Sequence, residues 1–317
     1  MKVLITGGAG FIGSHLTELL ESKGFEITIL DKLSTGSKRN LEDIDFNGVF
    51  VNGDIRDSEI VENLISKCDY VVHLAAALGV SNIMNRTLES LSVNIVGSEV
   101  VLKGSAEKKK PILIASTSEV YGKNPKQPLS ENDDRVIGNP QNFRWSYSDS
   151  KAIEESIASS LAVTHDLKVA TVRFFNTVGP RQSAQYGMVL PRFVSSAINS
   201  QPLLVHGTGE QTRVFCHVSD AVSAVWTLMQ SDKVYGEVFN VGGIGEVSIN
   251  TLAQKVIDLT HSSSLVEHVS YESVYPSGFE DMQRRVPNID KIFGFTGWKP
   301  QKDLEEIILD TENYIRK

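Results

Sequence analysis

The chain has 317 residues, 41% hydrophobic and 22% charged, with 31 Lys plus Arg against 39 Asp plus Glu for a net charge of −8. Such a composition buries a core, which excludes a disordered chain, and it lacks the general positive charge that wrapping a nucleic-acid backbone requires. Any polyanionic ligand must be held by a local positive site, because the overall field repels it.

At roughly 150 residues per domain the length predicts about two domains, or one large α/β domain with an appendage. The two cysteines, Cys68 and Cys216, are too few for a disulfide framework or a four-cysteine zinc site, and no metal is expected. They read as buried thiols of a reducing compartment. The apolar run at Val3-Leu4-Ile5 is too short for a signal peptide, and no run approaches the ~18 apolar residues of a membrane span. A soluble, cytoplasmic protein without a membrane partner is expected.

In chain order, Val3–Ile5 predicts a strand that ends in glycines. Phe11, Ile12, His15, Leu16, Leu19 and Leu20 then recur at helical spacing up to Lys23-Gly24. Further strands are predicted at Ile27–Leu30, Val49–Val51, Tyr70–Leu74, Ile112–Ala115 and Val169–Val172, with helical patterns between them. Continuous apolar strands alternating with helices imply a doubly wound parallel sheet of the Rossmann type, covered on both faces. After Asn176 the pattern loosens. Short strands (Leu203–His206, Val214–His217, Val238–Val241) mix with helices at Val189–Asn199, Asp220–Gln230, Ile249–Leu259 and Leu304–Ile315. This predicts a first domain over 1–176 and a smaller α/β lobe over 177–317 that binds substrate and interleaves with the sheet. Lys108-Lys109-Lys110 reads as a solvated helix end favoured by the helix dipole.

The segment Gly7-Gly8-Ala9-Gly10-Phe11-Ile12-Gly13 lies between the first strand and the first helix. In that context Gly7, Gly10 and Gly13 let the backbone turn tightly and approach a diphosphate. Phe11 and Ile12 open a helix whose N-terminus attracts anions. Asp31 ends the second strand, where a carboxylate accepts from an adenosine ribose diol and repels a 2′-phosphate, which favours NAD over NADP. Lys38 and Arg39 are nearby cations that a 2′-phosphate would use. Asp54 is placed to accept from an adenine amino group with Ile55 packed on the ring, while Asp57 caps the next helix. Leu74, Ala75 and Ala76 end the fourth strand and are small enough for a cofactor to lie against them. His73 reads as a histidine fixed beside the cofactor rather than a base.

Tyr147-Ser148-Asp149-Ser150-Lys151 opens a helix running to about Ala162, and residues four apart share its face. A phenol with a pKa near 10 is a poor base at neutral pH, but the Lys151 ammonium and an oxidised nicotinamide favour its phenolate. Tyr147 then takes a proton from a sugar hydroxyl, and Lys151 also reaches the nicotinamide ribose. Thr117, at the end of the fifth strand, is placed to donate to the reacting oxygen. Ser118 and Glu119 are polar groups aimed at the sugar's C5–C6 region, with a structural hydrogen bond as the other reading of Glu119.

Together GGAGFIG, HLAA, STSEVYG and YSDSK resemble the extended short-chain dehydrogenase/reductase family, and within it the NAD-dependent nucleotide-sugar epimerases, dehydratases and decarboxylases. The likeness continues through RFFNTVGPR, QTRVF and RRVPNI, nearly end to end. It implies oxidation of a sugar C4 hydroxyl to a 4-keto intermediate, a nucleotide-sugar substrate (UDP-linked is expected), and a homodimer. That dimer would pair the helix near Leu88–Ala106 with the Tyr147 helix, and Leu91, Val93, Val100 and Leu102 read either as its face or as core. The resemblance implies Thr117, Tyr147 and Lys151 as the catalytic trio, and Asn176, Arg213 and Arg285 as groups that touch the diphosphate or the sugar.

Within the family, dehydratases carry Asp-Glu where this chain has Ser118-Glu119, so the acid for C6 hydroxyl departure is missing. Glu119 and Arg285 resemble the decarboxylases, in which they manage a carboxylate and C5. Arg144 reads as a reader of a uronate carboxylate or as the partner of a surface acid. Ala77-Leu78-Gly79-Val80-Ser81 lacks the proline that decarboxylases usually carry there. The expectation is a 4-epimerase, with a UDP-glucuronate decarboxylase as the alternative.

Overall fold

In the computed structural model the described residues are 1–79, 86–184, 188–274, 280 and 282–317. Val80 and Ser81 lie outside them. The central sheet is built from β1 (Lys2–Thr6), β2 (Glu26–Asp31), β3 (Val49–Asn52), β4 (Tyr70–His73), β5 (Ile112–Thr117), β6 (Val169–Phe174) and β7 (Val238–Val241). Its spatial order is 3-2-1-4-5-6-7, and every pairing is parallel. The order reverses between β1 and β4, the point at which doubly wound sheets open a crevice beyond their strand C-termini.

Why these strands are strands follows from burial on both faces. Val3, Ile5, Ile29, Val72, Leu113 and Val172 pack against one layer of helices, and Leu4, Leu30, Val71, Ile112, Ile114 and Val169 against the other. Alternation therefore has no polar side to show, and the strands read as unbroken apolar runs. Cys68 and Cys216 are free thiols buried in these layers, and burial pushes the Cys68 thiol up to about 11.

The helices that matter for the site are α1 (Phe11–Ser22), α2 (Lys38–Glu42), α3 (Ser58–Ser66), α4 (Thr87–Leu91), α5 (Ser98–Glu107) and α6 (Ser146–His165). Asp57 caps α3 by accepting from the Ile60 N–H at 3.2 Å. Between α4 and α5 the predicted single helix widens into a π-helical stretch, Ser92–Gly97. There Asn94 leaves the helical pattern to grip the strand-end loop, accepting from Ala77 N–H at 2.7 Å and donating to Ala77 O at 3.1 Å.

Two other expectations are corrected. Val238–Val241 is not a strand of the second lobe: it pairs with β6 and forms the sheet's edge, so the chain returns to the first core after α6. A network of buried polar groups fixes this return. Arg173 of β6 clasps Glu155 of α6 bidentately at 3.0 and 2.7 Å and donates to Tyr121 Oη at 2.9 Å, which donates to Asn240 Oδ1 at 2.7 Å. Val214–His217 is likewise not one strand. Thr212–Arg213 pairs antiparallel with Val247–Ser248, while Cys216–His217 pairs with Thr177–Val178. The Val214 carbonyl between them is taken by the Asn176 side-chain amide at 2.8 Å, so no ladder partner remains for it.

Val189–Ile198, Leu203–His206, Ile249–Leu259 and Leu304–Ile315 close a third apolar cluster around Phe193, Leu203, Phe215, Leu252 and Ile308, while the helix Val218–Met229 packs on the sheet. No helix among the described residues is long and apolar enough to cross a membrane.

Candidate active site

One cavity of about 970 Å³ runs from the glycine turn, along the C-terminal ends of β1, β4, β5 and β6, to His206, Arg213 and Tyr271. The candidate catalytic, cofactor and substrate residues line it: Gly7, Gly10, Phe11, Ile12, Gly13, Asp31, Asp54, Ile55, Leu74, Ala75 and Ala76 at one end, Thr117, Ser118, Glu119, Tyr147 and Lys151 in the middle, and Arg144, Asn176, Arg213 and Arg285 beyond, whereas His73 and Lys38 do not. Basic side chains outnumber acidic ones along its wall, Arg181 and Arg192 among them. A chain with net charge −8 thus concentrates positive charge where an anionic ligand fits.

At the glycine end the backbone leaves no room for side chains. A Cβ at Gly13 would lie 2.1 Å from Gly7 O, and one at Gly7, whose φ is +74°, would lie 2.7 Å from Ala75 N. Gly10 caps α1 without a side chain, so first-turn N–H groups stay available to a diphosphate. Asp31 Oδ2 accepts from Ala9 N–H at 3.0 Å and Oδ1 from Leu33 N–H at 2.7 Å, which hold the carboxylate at the turn. Burial raises its proton affinity and these two N–H groups oppose the rise. The void, the helix N-terminus and the strand-end acid together fit a dinucleotide with a free ribose diol.

Asp54 is more committed than the sequence suggests. Arg56 donates to it from Nε at 3.0 Å and Nη2 at 2.6 Å, and Lys32 Nζ from 2.9 Å. The Arg56 hydrogen bonds hold its carboxyl far below the usual range. His73 is fully buried, with Nδ1 2.6 Å from Thr6 Oγ1 and Nε2 2.9 Å from Ser98 Oγ. Burial first, then the Lys151 charge, push it down to about 3. It is a neutral tie between strand and helix.

In the middle of the cavity, Thr117 Oγ1 accepts from Glu119 N–H at 3.2 Å, which leaves its own proton to donate. Lys151 is 2% exposed; its Nζ donates to Ala115 O at 2.7 Å and to Glu154 Oε2 at 2.8 Å. Glu154 is the residue that sequence reasoning missed. Its signal was present: it lies three residues after Lys151 and seven after Tyr147, on the same helical face. In the protein alone, burial, then Glu119 and Glu154, push the Tyr147 phenol up rather than down. The lysine charge expected to favour the phenolate is offset by a carboxylate beside it.

Glu119 itself sits between two guanidiniums. Arg144 Nη1 lies 2.5 Å from Oε2, and Arg285 Nη1 pairs with Oε1. Burial would raise the carboxyl, but the two arginines outweigh it and hold it at about 2. Arg144 is 6% exposed, and the buried acid Glu119 is an ion-pair partner of it. Arg213, 7% exposed, donates from Nη1 to Thr212 O at 2.8 Å while lining the far wall.

A family model described as GDP-mannose 4,6 dehydratase matches residues 4–311. The chain belongs to the extended short-chain dehydrogenase/reductase family. Among its relatives, the UDP-N-acetyl-alpha-D-glucosaminuronate decarboxylase of Bacillus cytotoxicus is 41% identical over 317 residues, covering 100% of this chain and 98% of that protein. The UDP-glucuronic acid decarboxylase 1 of Xenopus tropicalis is 35% identical over 316 residues, covering 100% of this chain and 72% of that one. Among solved structures, the UDP-glucose 4-epimerase of Thermus thermophilus in complex with NAD superposes with a TM-score of 0.87 at 26% identity, over 100% of this chain and 99% of that one. This member of the family is therefore an NAD-dependent nucleotide-sugar enzyme, and the glycine turn and Asp31 fit that cofactor.

Proposed function

We propose that the protein decarboxylates a UDP-linked hexuronate, glucuronate or its 2-acetamido counterpart, to the UDP-pentose. The observation that carries the reading is the clasp of Arg144 and Arg285 around Glu119. Two guanidiniums converge on one carboxylate in a buried place beside the catalytic strand end. A neutral C6 hydroxymethyl has little use for such a cluster, whereas a C6 carboxylate can take bidentate hydrogen bonds from a guanidinium. The names of the two curated relatives support the same reading over the 4-epimerase expected from sequence.

When bound, NAD supplies the acceptor, and later the donor, of the sugar's C4 hydrogen. Tyr147 takes the proton from the C4 hydroxyl and Thr117 holds that oxygen by donating to it, while Lys151 steadies the phenolate through its charge. The product of this step is a β-keto acid, because C4 is then a carbonyl and C6 a carboxylate on C5. Cleavage of the C5–C6 bond releases CO2, and its electron pair moves into the C4–C5 enolate. Tyr147, now protonated, stabilises the enolate oxygen. A proton added at C5 restores the ketone, which is reduced at C4 with Tyr147 returning its proton to the oxygen. Glu119, held ionised by its arginines, is a counter-charge rather than a proton donor, which fits the missing dehydratase acid at Ser118. Arg213, on the far wall of the cavity, holds the diphosphate end, while Asn176 aims Arg285 at the carboxylate. Incubation with UDP-glucuronate and with its 2-acetamido form, followed by NMR of the products, tests the reading: a UDP-pentose supports it, and C4 inversion with C6 retained gives the epimerase instead.

The active unit is proposed to be a homodimer. Leu88, Val96 and Ile153 are exposed on α4, the π-helical stretch and α6, an apolar strip suited to a second copy of this chain. Leu102, by contrast, is core. Sedimentation should give twice the chain mass, and Leu88→Glu should shift it to monomer; a monomeric wild-type protein contradicts the pairing.

A further inference from the structure

Glu154 lies on the buried side of α6 with no exposed surface. Oε2 meets Lys151 Nζ at 2.8 Å, and the carboxylate also interacts with the Ser98 hydroxyl. Ser98 Oγ is 2.9 Å from His73 Nε2, and His73 Nδ1 is 2.6 Å from Thr6 Oγ1, which accepts from Ala75 N–H at 3.3 Å. A line of buried polar groups thus joins the lysine of the site to the strand end that walls the cofactor cavity. An ionised carboxylate in such a place is costly unless it is paired, and its removal leaves the lysine charge uncompensated.

From this geometry we infer that Glu154 is a positioning residue that fixes the Lys151 ammonium and sets the pH at which Tyr147 gives up its proton. The inference rests on the roles proposed above for Tyr147 and Lys151. Other charges face the pair as well. On α6 itself Glu155 is held by Arg173 of β6. From the turn after β5 comes Glu119, with Arg144 and Arg285 around it, and from β4 comes His73, which stays neutral. Glu155 and Glu119 are thus each engaged by their own guanidiniums, whereas Glu154 has Lys151 as its cation.

The Glu154 charge, after burial and Glu119, holds the Tyr147 phenol up. Removing that charge moves the ascending limb of the pH profile to lower pH, by about one unit or more. A carboxylate that only filled space and held the helix would change stability and leave the limb where it was.

The test uses the full chain with NAD bound. Glu154→Gln should keep the far-ultraviolet circular dichroism and NAD affinity of the wild type, while its kcat/KM limb moves acidward by about one unit or more. The phenolate absorbance, taken as the difference from Tyr147→Phe, should move with it. Glu154→Asp keeps the charge but draws it back from Nζ, so its limb should stay at the wild-type pH while kcat falls about tenfold. It decides the matter should the glutamine variant not fold. A glutamine variant with an unmoved limb, or an aspartate variant with wild-type kcat and limb, overturns the inference. If instead Tyr147→Phe retains turnover, the assignment of the base fails, and the two failures are told apart.

Discussion

The Arg285 guanidinium donates from Nη2 to Asn176 Oδ1 across 2.5 Å. Asn176 sits just past β6 with φ +30°, and its amide donates to Val214 O at 2.8 Å. One asparagine therefore ties three segments far apart in the chain, and it aims Arg285 before any ligand arrives. Pre-organisation of this kind removes a cost that binding would otherwise meet.

Arg285→Lys keeps the charge and loses the planar fork. It should raise KM for the uronate about tenfold or more, with little change in NAD affinity. Steady-state kinetics with UDP-glucuronate and its 2-acetamido form check this. An unchanged KM for the substrate that the wild type turns over would remove Arg285 from carboxylate binding.

Tyr147→Phe should lower kcat by about 10²–10⁴-fold, the usual worth of a positioned proton-transfer group. NAD binding, followed by fluorescence, should persist, because the glycine turn and Asp31 are untouched.

Much of this site was legible in the sequence because its residues stand next to the strands that position them. Gly7–Gly13 follows β1, Asp31 ends β2, and Thr117 ends β5, so a correct strand reading located them. The Tyr147–Lys151 spacing placed both on one face of a helix. What sequence did not carry was the long-range pairing of polar groups. That Arg144 and Arg285, 141 positions apart by number, meet on Glu119 depends on how the last lobe folds back. Which edge Val238–Val241 joins was hidden for the same reason: a four-residue strand with one polar member, Asn240, does not say which edge it covers. Glu154 differs. Its helical spacing from Lys151 was readable, but its burial depends on α5 packing Ser98 against α6.

Stability should fall in acid through the buried His73 and the half-buried His15. His73 and His15 titrate at about 3 in the folded protein against 6.5 ordinarily. Between those values the unfolded chain binds protons that the native chain refuses, so stability rises with pH across this window and is lost as pH falls through it. The melting temperature should decline steadily between about pH 6 and 4, and His73→Asn should flatten the decline. Thermal melts of both proteins across that range check it; parallel curves would contradict the assignment to His73.

The fate of the substrate's C6 carbon tests the central claim most directly. With UDP-glucuronate, or its 2-acetamido form, isotopically labelled at C6 and NAD present, the account predicts release of the label as CO2 in step with formation of a UDP-pentose. Retention of the label in a UDP-hexuronate whose C4 configuration has inverted would contradict it.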